Sequence, residues 1–171
     1  MGRSGFQRVV FAVFFGRAGD MVEALYGTYN KRIDAKGRLS IPKRIREQIF
    51  ADSDAEVLVV TMDGILQIFT PGAFDVISRQ IQGKSPLNKK AREFQRLWGV
   101  LVSPVTCDAE GRIKLTESQK AYAGIEQDVV LIGAWNRLEI WSPVKHAAQF
   151  VSSEASESRF SEIADELNFL E

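Results

Sequence analysis

The residues best suited to binding chemistry form one short motif that occurs twice in the chain. Each copy has an aspartate, a glycine three residues later and an arginine directly after the glycine. The two copies are Asp34, Gly37 and Arg38, and Asp108, Gly111 and Arg112. An aspartate at the start of a turn accepts backbone N–H bonds, and glycine permits the left-handed backbone that a reversal needs. The arginine offers a planar fork of five donors, which suits phosphate oxygens or guanine edges.

The same spacing also permits a purely structural role. Arg38 and Arg112 could each pair with the aspartate four residues earlier and hold its own turn in place. Charge distribution favours a binding role for the first copy. Residues 31–46 carry seven basic residues against one acid, a net charge of +6, whereas residues 107–120 sum to zero. The whole chain is neutral, with 22 basic and 22 acidic residues.

Composition argues against most enzymes and metal proteins. A single cysteine, Cys107, excludes internal disulfides and zinc sites built on several thiolates. A single histidine, His146, excludes His-pair metal sites and leaves little scope for a catalytic triad. The sequence has no glycine-rich nucleotide loop and no apolar run near the ~20 residues that span a bilayer. We therefore expect a non-enzymatic protein with no cofactor and no membrane partner.

The motif lies within a longer repeat that must position it. Three blocks recur in the same order with an offset of 72–74 positions. The matching stretches are 33–39 with 107–113, 57–60 with 129–132, and 66–71 with 138–143. Such ordered recurrence indicates one duplicated unit of about 50 residues.

Each unit is predicted to contain the same elements. Extended segments (Leu25–Tyr29 and Leu101–Thr106) precede the turns, and a short strand follows each turn. In the first unit a helix begins at Pro42. Strands at Glu56–Met62 and Ile65–Phe69 come next and are joined by an Asp-Gly pair, a strong hairpin signal. Four short strands cannot bury a sufficient core alone. The expected fold is α+β, with two β-rich halves interlocked as an intramolecular pseudo-dimer with peripheral helices.

The predicted boundaries follow from these repeats. The ranges are 1–20 for an N-terminal extension, with Met21 as an alternative start, 21–82 for the first repeat, 83–97 for a linker helix, 98–150 for the second repeat and 151–171 for an acidic tail. Asn88 is the predicted cap of the linker helix. One long helix is expected from Pro143 toward Leu167.

These features resemble the MraZ family of bacterial transcription regulators, whose halves are related to the AbrB-type swapped-hairpin DNA-binding domain. The stretch from Asp34 to Pro42 is similar to the family's first Asp-x-x-x-Arg motif, and Asp108–Ile113 is similar to the second. The resemblance covers about Glu23 to Phe150. One departure follows the second motif, where the family has an apolar-Pro pair and this chain has Leu115-Thr116, and where Gln119 replaces an expected leucine. From it we expect a weaker or differently packed second helix.

The resemblance implies a cytoplasmic, nucleoid-associated regulator that binds direct repeats of double-stranded DNA ahead of a cell-division and cell-wall gene cluster. It also implies a homo-oligomeric ring. The expected DNA-binding residues are Arg38, Arg112, Lys36, Arg32, Lys43, Arg44 and Arg46, and the expected organisers of the motif are Asp34, Gly37, Asp108 and Gly111. For the basic residues of the first helix, a simple solvated face is the alternative. The rival function is a non-catalytic protein-binding module of the antitoxin or structural type.

Overall fold

The computed structural model describes residues 24–50, 57–150 and 153–167. It is a mixed α+β fold with antiparallel sheets, as expected from the sequence. The strands are β1 (Thr28–Arg32), β2 (Arg38–Ser40), β3 (Val57–Met62), β4 (Ile65–Phe69), β5 (Val102–Val105), β6 (Arg112–Lys114), β7 (Asp128–Ala134) and β8 (Arg137–Trp141). The helices are α1 (Lys43–Ile49), α2 (Pro71–Gln82), α3 (Lys89–Leu101), α4 (Glu117–Ala123), α5 (Pro143–Gln149) and α6 (Ser153–Glu166). The predicted extension, 1–20, lies outside the described residues.

Strand pairing joins the two repeats throughout the larger sheet. Its order is β1-β7-β8-β4-β3-β5, and every pair is antiparallel. The first strand of each repeat pairs with the other repeat, since β1 lies on β7 and β5 lies on β3. The two halves meet at β4 and β8, where Gln67 lies opposite Glu139. Each repeat therefore covers an edge that the other would leave unpaired.

A second, two-stranded sheet joins the two motif turns. In it β2 pairs with β6, and Leu39 lies opposite Ile113. Both side chains are fully buried. The turns are also linked by backbone bonds, because the N–H of Ile41 donates to the Gly111 carbonyl (3.0 Å) and the N–H of Leu115 donates to the Gly37 carbonyl (3.2 Å). Each motif is thus held partly by the strand of the other repeat.

The core lies beneath these sheets and is aliphatic. Its largest fully buried side chains include Leu39, Ile45, Ile49, Leu66, Ile68, Ile113, Leu131, Leu138 and Ile140. The predicted hairpin between β3 and β4 is present. Asp63 (φ 58°) and Gly64 (φ 73°) both adopt the left-handed backbone that a two-residue turn of this type requires.

The second short helix is as long as the first, although it lacks a starting proline. Both α1 and α4 have seven residues. Thr116 and Gln119 form a reciprocal capping box at the start of α4: the N–H of Gln119 donates to the Thr116 hydroxyl, and the N–H of Thr116 donates to the Gln119 side chain. Gln119 also donates to Ser103 Oγ (2.9 Å). The capping box explains how α4 begins without proline, and the packing differs at buried Gln119, which occupies the position of buried Ile45 in α1.

The C-terminal region contains two helices, α5 and α6, in place of the single long helix expected from Pro143. Residues Ala24–Lys145 form one compact unit, and the described residues from His146 onward belong to a second. The linker helix α3 begins after Asn88 as predicted, with the Asn88 side chain accepting from the N–H groups of Lys90 and Ala91. It extends to Leu101, four residues beyond the predicted end.

Candidate nucleic-acid interface

The first motif turn is fixed by the carboxylate of Asp34. Its Oδ1 accepts from the backbone N–H groups of Lys36 and Arg38, each at 2.9 Å, and its Oδ2 accepts from Arg38 Nε at 2.8 Å. The turn closes where the Gly37 N–H donates to the Asp34 carbonyl, with Gly37 at φ 75°. The backbone N–H of Arg38 is the main cause that lowers the pKa of Asp34, and it outweighs the effect of burial.

The second motif repeats this geometry atom for atom. Asp108 Oδ1 accepts from the backbone N–H groups of Glu110 (3.0 Å) and Arg112 (2.9 Å), and Oδ2 accepts from Arg112 Nε (2.9 Å). Burial alone would raise the pKa of Asp108, but the bonds from Arg112 and Glu110 together hold it below its ordinary value. The same hydrogen bond to Asp108 raises the pKa of Arg112. Both arginines are therefore oriented by their own turns.

The two arginines lie on the outward face of the β2–β6 ribbon. Arg38 is opposite Lys114, and Arg112 is opposite Ser40, while the alternate residues Leu39 and Ile113 point into the core. The side chains of Arg38 and Arg112 are 29% and 27% exposed. The pairing that the structural interpretation required is present at Nε of both arginines, while each side chain remains partly exposed.

The two arginines differ in what surrounds their outer nitrogens. Nη2 of Arg112 donates to Glu110 at 2.6 Å. The first motif has Lys36 at the equivalent position, and within the described residues Asp34 is the only side chain that binds the Arg38 guanidinium. The guanidinium of Arg38 is consequently more available to an external anion than that of Arg112.

A second asymmetry concerns the helices beside the turns. The guanidinium of Arg46, on α1, lies against Gly111 in the turn of the other repeat, where an added Cβ would overlap it. Its equivalent on α4 is Lys120, which is bound at 2.7 Å by Glu117 on the same helix. The α1 residue equivalent to Glu117 is Lys43, which cannot hold a cation in this way. Arg46 therefore extends over the second turn.

The first turn retains an open recess as a result. Among the described residues, only the Leu115 carbonyl, at 3.8 Å, would contact a Cβ added at Gly37. The recess has a volume of about 410 Å³, and lysines from three elements line it: Lys36, Lys114 and Lys120, together with the carboxylates of Asp34, Glu117 and Glu126. The three lysines of the recess are matched in number by three carboxylates, and Lys120 is already paired with Glu117, so Lys36 and Lys114 are the lysines that remain accessible beside this turn.

The remaining predicted basic residues are spread over the surface. Arg32 is exposed and contacts Gln127 (2.8 Å) and Asp128 (3.4 Å). Lys43 makes a weak pair with Glu47 at 3.6 Å. Arg44 lies over the ring of Tyr26, with 3.7 Å between its Cζ and the ring centroid. Only Lys36 shares the first turn with Arg38.

Sequence reasoning missed Lys114. It is exposed, lies opposite Arg38 on the ribbon and lines the recess. The repeat offset could have identified it, because Lys114 occupies in β6 the position that Ser40 occupies in β2, on the same outward face as the two arginines.

The parts of the chain that the structure describes contain no cluster of three or more potential metal ligands. Across the same residues, no helix combines the length and the hydropathy that crossing a bilayer would require.

The fold and the two turns together define a duplicated antiparallel α+β protein with a basic ribbon surface. The family model described as "MraZ protein, putative antitoxin-like" matches residues 24–97 and 103–169. The chain therefore belongs to the MraZ family.

Similar proteins named "Transcriptional regulator MraZ" come from several bacteria. The one from Symbiobacterium thermophilum is 35% identical over 84% of this chain and 99% of its own length. The one from Lactobacillus delbrueckii subsp. bulgaricus is 38% identical over 85% of this chain and 97% of its own length. The one from Ligilactobacillus salivarius is 34% identical over 82% and 94%, respectively.

Proposed function

We propose that this protein is a transcriptional regulator that binds double-stranded DNA through the outward face of the β2–β6 ribbon. The observation that carries the proposal is the paired presentation of Arg38 and Arg112. Each is held at Nε by an aspartate that also fixes its turn, and the two lie on one exposed face. A guanidinium oriented in advance loses little conformational freedom when it binds a phosphate or a guanine edge.

The organisers of this face are Asp34 and Gly37 in the first turn and Asp108 and Gly111 in the second. Lys36 and Lys114 add cations beside Arg38. Arg32, Lys43 and Arg44 are exposed, and their surface contacts are weak enough to be exchanged for contacts with phosphates. Arg46 contributes to the same field from its place over Gly111. Strand β2 and the turn before it, which are the first repeat's part of the ribbon, supply most of the affinity for DNA.

The cross-repeat pairing of β1 with β7 and of β5 with β3 supports a swapped-hairpin arrangement in which residues 21–82 and 98–150 form a pseudo-dimer. Such a unit places its two turns at opposite ends of the short antiparallel ribbon. Residues 83–97 then link the halves, and residues 151–171 form a separate acidic segment.

A single chain makes only a handful of phosphate contacts, which is typical of dissociation constants of about 10⁻⁴ to 10⁻⁶ M. Linking several copies gains ~10²–10⁴-fold in avidity. We therefore propose a ring-like oligomer that reads direct repeats, acting in the cytoplasm at the nucleoid, upstream of a cell-division and cell-wall gene cluster. Spacing of the DNA repeats then contributes to specificity.

The test is DNA binding by arginine variants. We expect Arg38→Ala and Arg112→Ala to weaken binding of duplex fragments selected by the purified protein, with little change in melting temperature. Arg79→Ala is the matched control, because Arg79 also pairs with an aspartate four residues away (Asp75, 2.8 Å) but lies on helix α2, outside the ribbon. The oligomeric state of every variant is measured alongside by sedimentation velocity, because a loss of assembly would also weaken binding. Unchanged affinity in both ribbon variants would contradict the proposal.

Salt separates this function from a protein-binding role of the antitoxin type. Binding through phosphates falls steeply with added salt, with a slope of about −0.9 per contact. An apolar protein interface responds far less. A flat salt dependence of the selected interaction would favour the protein-binding function.

A further inference from the structure

The helical hairpin between the two repeats exposes an unusual amount of apolar surface. Neither α2 nor α3, both described along their whole length, has a buried residue. The exposed apolar side chains on the hairpin are Val76, Leu87, Phe94, Leu97 and Val100. Leu97 is 61% exposed and Val100 is 82% exposed. A cluster of large apolar side chains on one surface is a mark of an interaction site.

The hairpin presents this surface in an ordered form. Trp98 stacks between Phe74 of α2 and Phe94 of α3, with ring centroids 6.4 Å apart on each side. Gln95 Nε2 donates to the Ile81 carbonyl at 3.2 Å, and Arg92 Nη1 donates to the Pro86 carbonyl at 2.8 Å. These contacts fix α3 against the end of α2. The exposed face is therefore already ordered and can bind a partner without rearranging.

Positive charge flanks the apolar residues. Helix α3 carries Lys89, Lys90, Arg92 and Arg96 against Glu93, a net charge of +3. Phe94, Leu97 and Val100 follow one another at intervals of three, so they share a face, and Lys90 lies one turn before Phe94 on that face. A partner for this surface should therefore combine an apolar stripe with acidic residues.

The acidic C-terminal helix of the chain has that composition. Helix α6 contains five acids and one base, Arg159, a net charge of −4. Ile163 and Leu167 are both exposed and lie four residues apart. Glu162 and Glu166 are also exposed, and each directly precedes one of these two apolar residues. The stripe and the charge of α6 are complementary to those of α3.

We propose that helix α6 of one copy docks on the α2–α3 face of a second copy, with Ile163 and Leu167 against Phe94 and Leu97 and with the acids of α6 near Lys89 and Lys90. Each chain then carries both halves of a head-to-tail contact. Repetition of such a contact closes into a ring when the rotation per copy permits it. The inference rests on the proposed oligomer and supplies its interface.

Charge reversal tests this contact in the absence of DNA. Lys89→Glu/Lys90→Glu reverses one side, and Glu162→Lys/Glu166→Lys reverses the other. The first pair places acids at the start of α3, and the second places bases near the end of α6. The helix dipole favours both arrangements, so folding should be retained. We expect each variant alone to have a dissociation constant of assembly at least tenfold higher than that of the parent protein, measured by sedimentation velocity, because like charges face each other.

Mixing the two variants gives the decisive measurement. In a head-to-tail contact the acidic α3 of the first variant meets the basic α6 of the second. The basic α3 of the second variant likewise meets the acidic α6 of the first, so both contacts join opposite charges. Assembly should therefore return in the equimolar mixture. It should also return in the chain that carries all four substitutions.

Lys36→Glu/Lys43→Glu is the control, since it makes the same change of charge on the proposed DNA face and should leave assembly intact while weakening DNA binding.

Parent-like assembly by either single-side variant, or no recovery on mixing, would overturn the inference. Recovery only in the four-substitution chain would show that α6 docks within its own chain. A parent protein that stays monomeric at every concentration would overturn it as well. In each case the DNA-binding proposal is judged separately, by the ribbon variants.

Discussion

The guanidinium of Arg46 rests on Gly111, so a helix of the first repeat covers the turn of the second. No such contact exists at Gly37 within the described residues, where the equivalent Lys120 is held back by Glu117. Two turns with the same backbone therefore have different surroundings. Substitutions at the two glycines can therefore distinguish the cost of backbone strain from the cost of displacing a neighbouring side chain.

Alanine at the two glycines should have unequal effects on stability. Both have positive φ (75° and 79°), so either substitution strains the backbone by about 1–2 kcal/mol. Gly111→Ala must also displace the flexible end of the Arg46 side chain, so its loss should be the larger of the two. Chemical unfolding measures both losses. Adding Arg46→Ala to Gly111→Ala should recover part of the stability, whereas adding it to Gly37→Ala should not; equal losses at the two glycines would contradict this account.

The second prediction concerns the availability of Arg112. Glu110 holds its Nη2 at 2.6 Å, and Lys36 occupies the equivalent position in the first turn. Glu110→Lys should release that nitrogen and add a cation, so DNA should bind more tightly by about tenfold at low salt, and the salt slope should steepen by about 0.9 for each new phosphate contact. The reciprocal change, Lys36→Glu, should weaken binding. Gel-shift titrations at several salt concentrations provide the measurement, and Asp165→Lys, at an exposed position of α6 outside the ribbon and its recess, controls for net charge.

Much of this arrangement could be predicted from the sequence because it depends on local chemistry. An aspartate, a glycine and an arginine at fixed spacing define the turns, and the Asp63-Gly64 pair defines a hairpin. The contact of Arg46 with Gly111 could not be predicted in this way. It depends on which side chain crosses from one repeat to the other, and that follows from Lys43 standing where Glu117 stands in the second half.

The start of α4 was harder to predict for a related reason. A missing proline suggested a weak helix, but Thr116 and Gln119 supply an equivalent start by hydrogen bonding. Gln119 is buried and bonds to Ser103 on a neighbouring strand. That bond is tertiary, so sequence periodicity holds no sign of it. The role of Lys114 likewise required the register between β2 and β6.

The third prediction concerns acid stability. The pKa values of Asp34 and Asp108 are lowered in the folded protein by hydrogen bonds from the turns. A carboxylate with a lowered folded pKa contributes stability above its unfolded pKa of about 3.9, and this contribution is lost as the pH falls through the folded pKa. Asp34→Asn/Asp108→Asn should therefore be less stable than the parent near neutral pH, and the difference should narrow below about pH 4. Thermal unfolding between acidic and neutral pH tests this; a constant difference at every pH would contradict it.

The fourth prediction concerns the junction of β4 and β8, where Gln67 lies opposite Glu139. Glu139 is buried, and its carboxylate accepts from Arg137 at 2.8 Å and from Trp141 Nε1 at 3.0 Å. Arg137→Met leaves that buried charge without its cation and should cost about 3 kcal/mol of unfolding free energy. The double variant Arg137→Met/Glu139→Gln removes the charge as well, so it should be more stable than Arg137→Met alone. Denaturant titration of the parent, both single variants and the double variant yields the coupling energy; additive losses would show that the pair is not electrostatically linked.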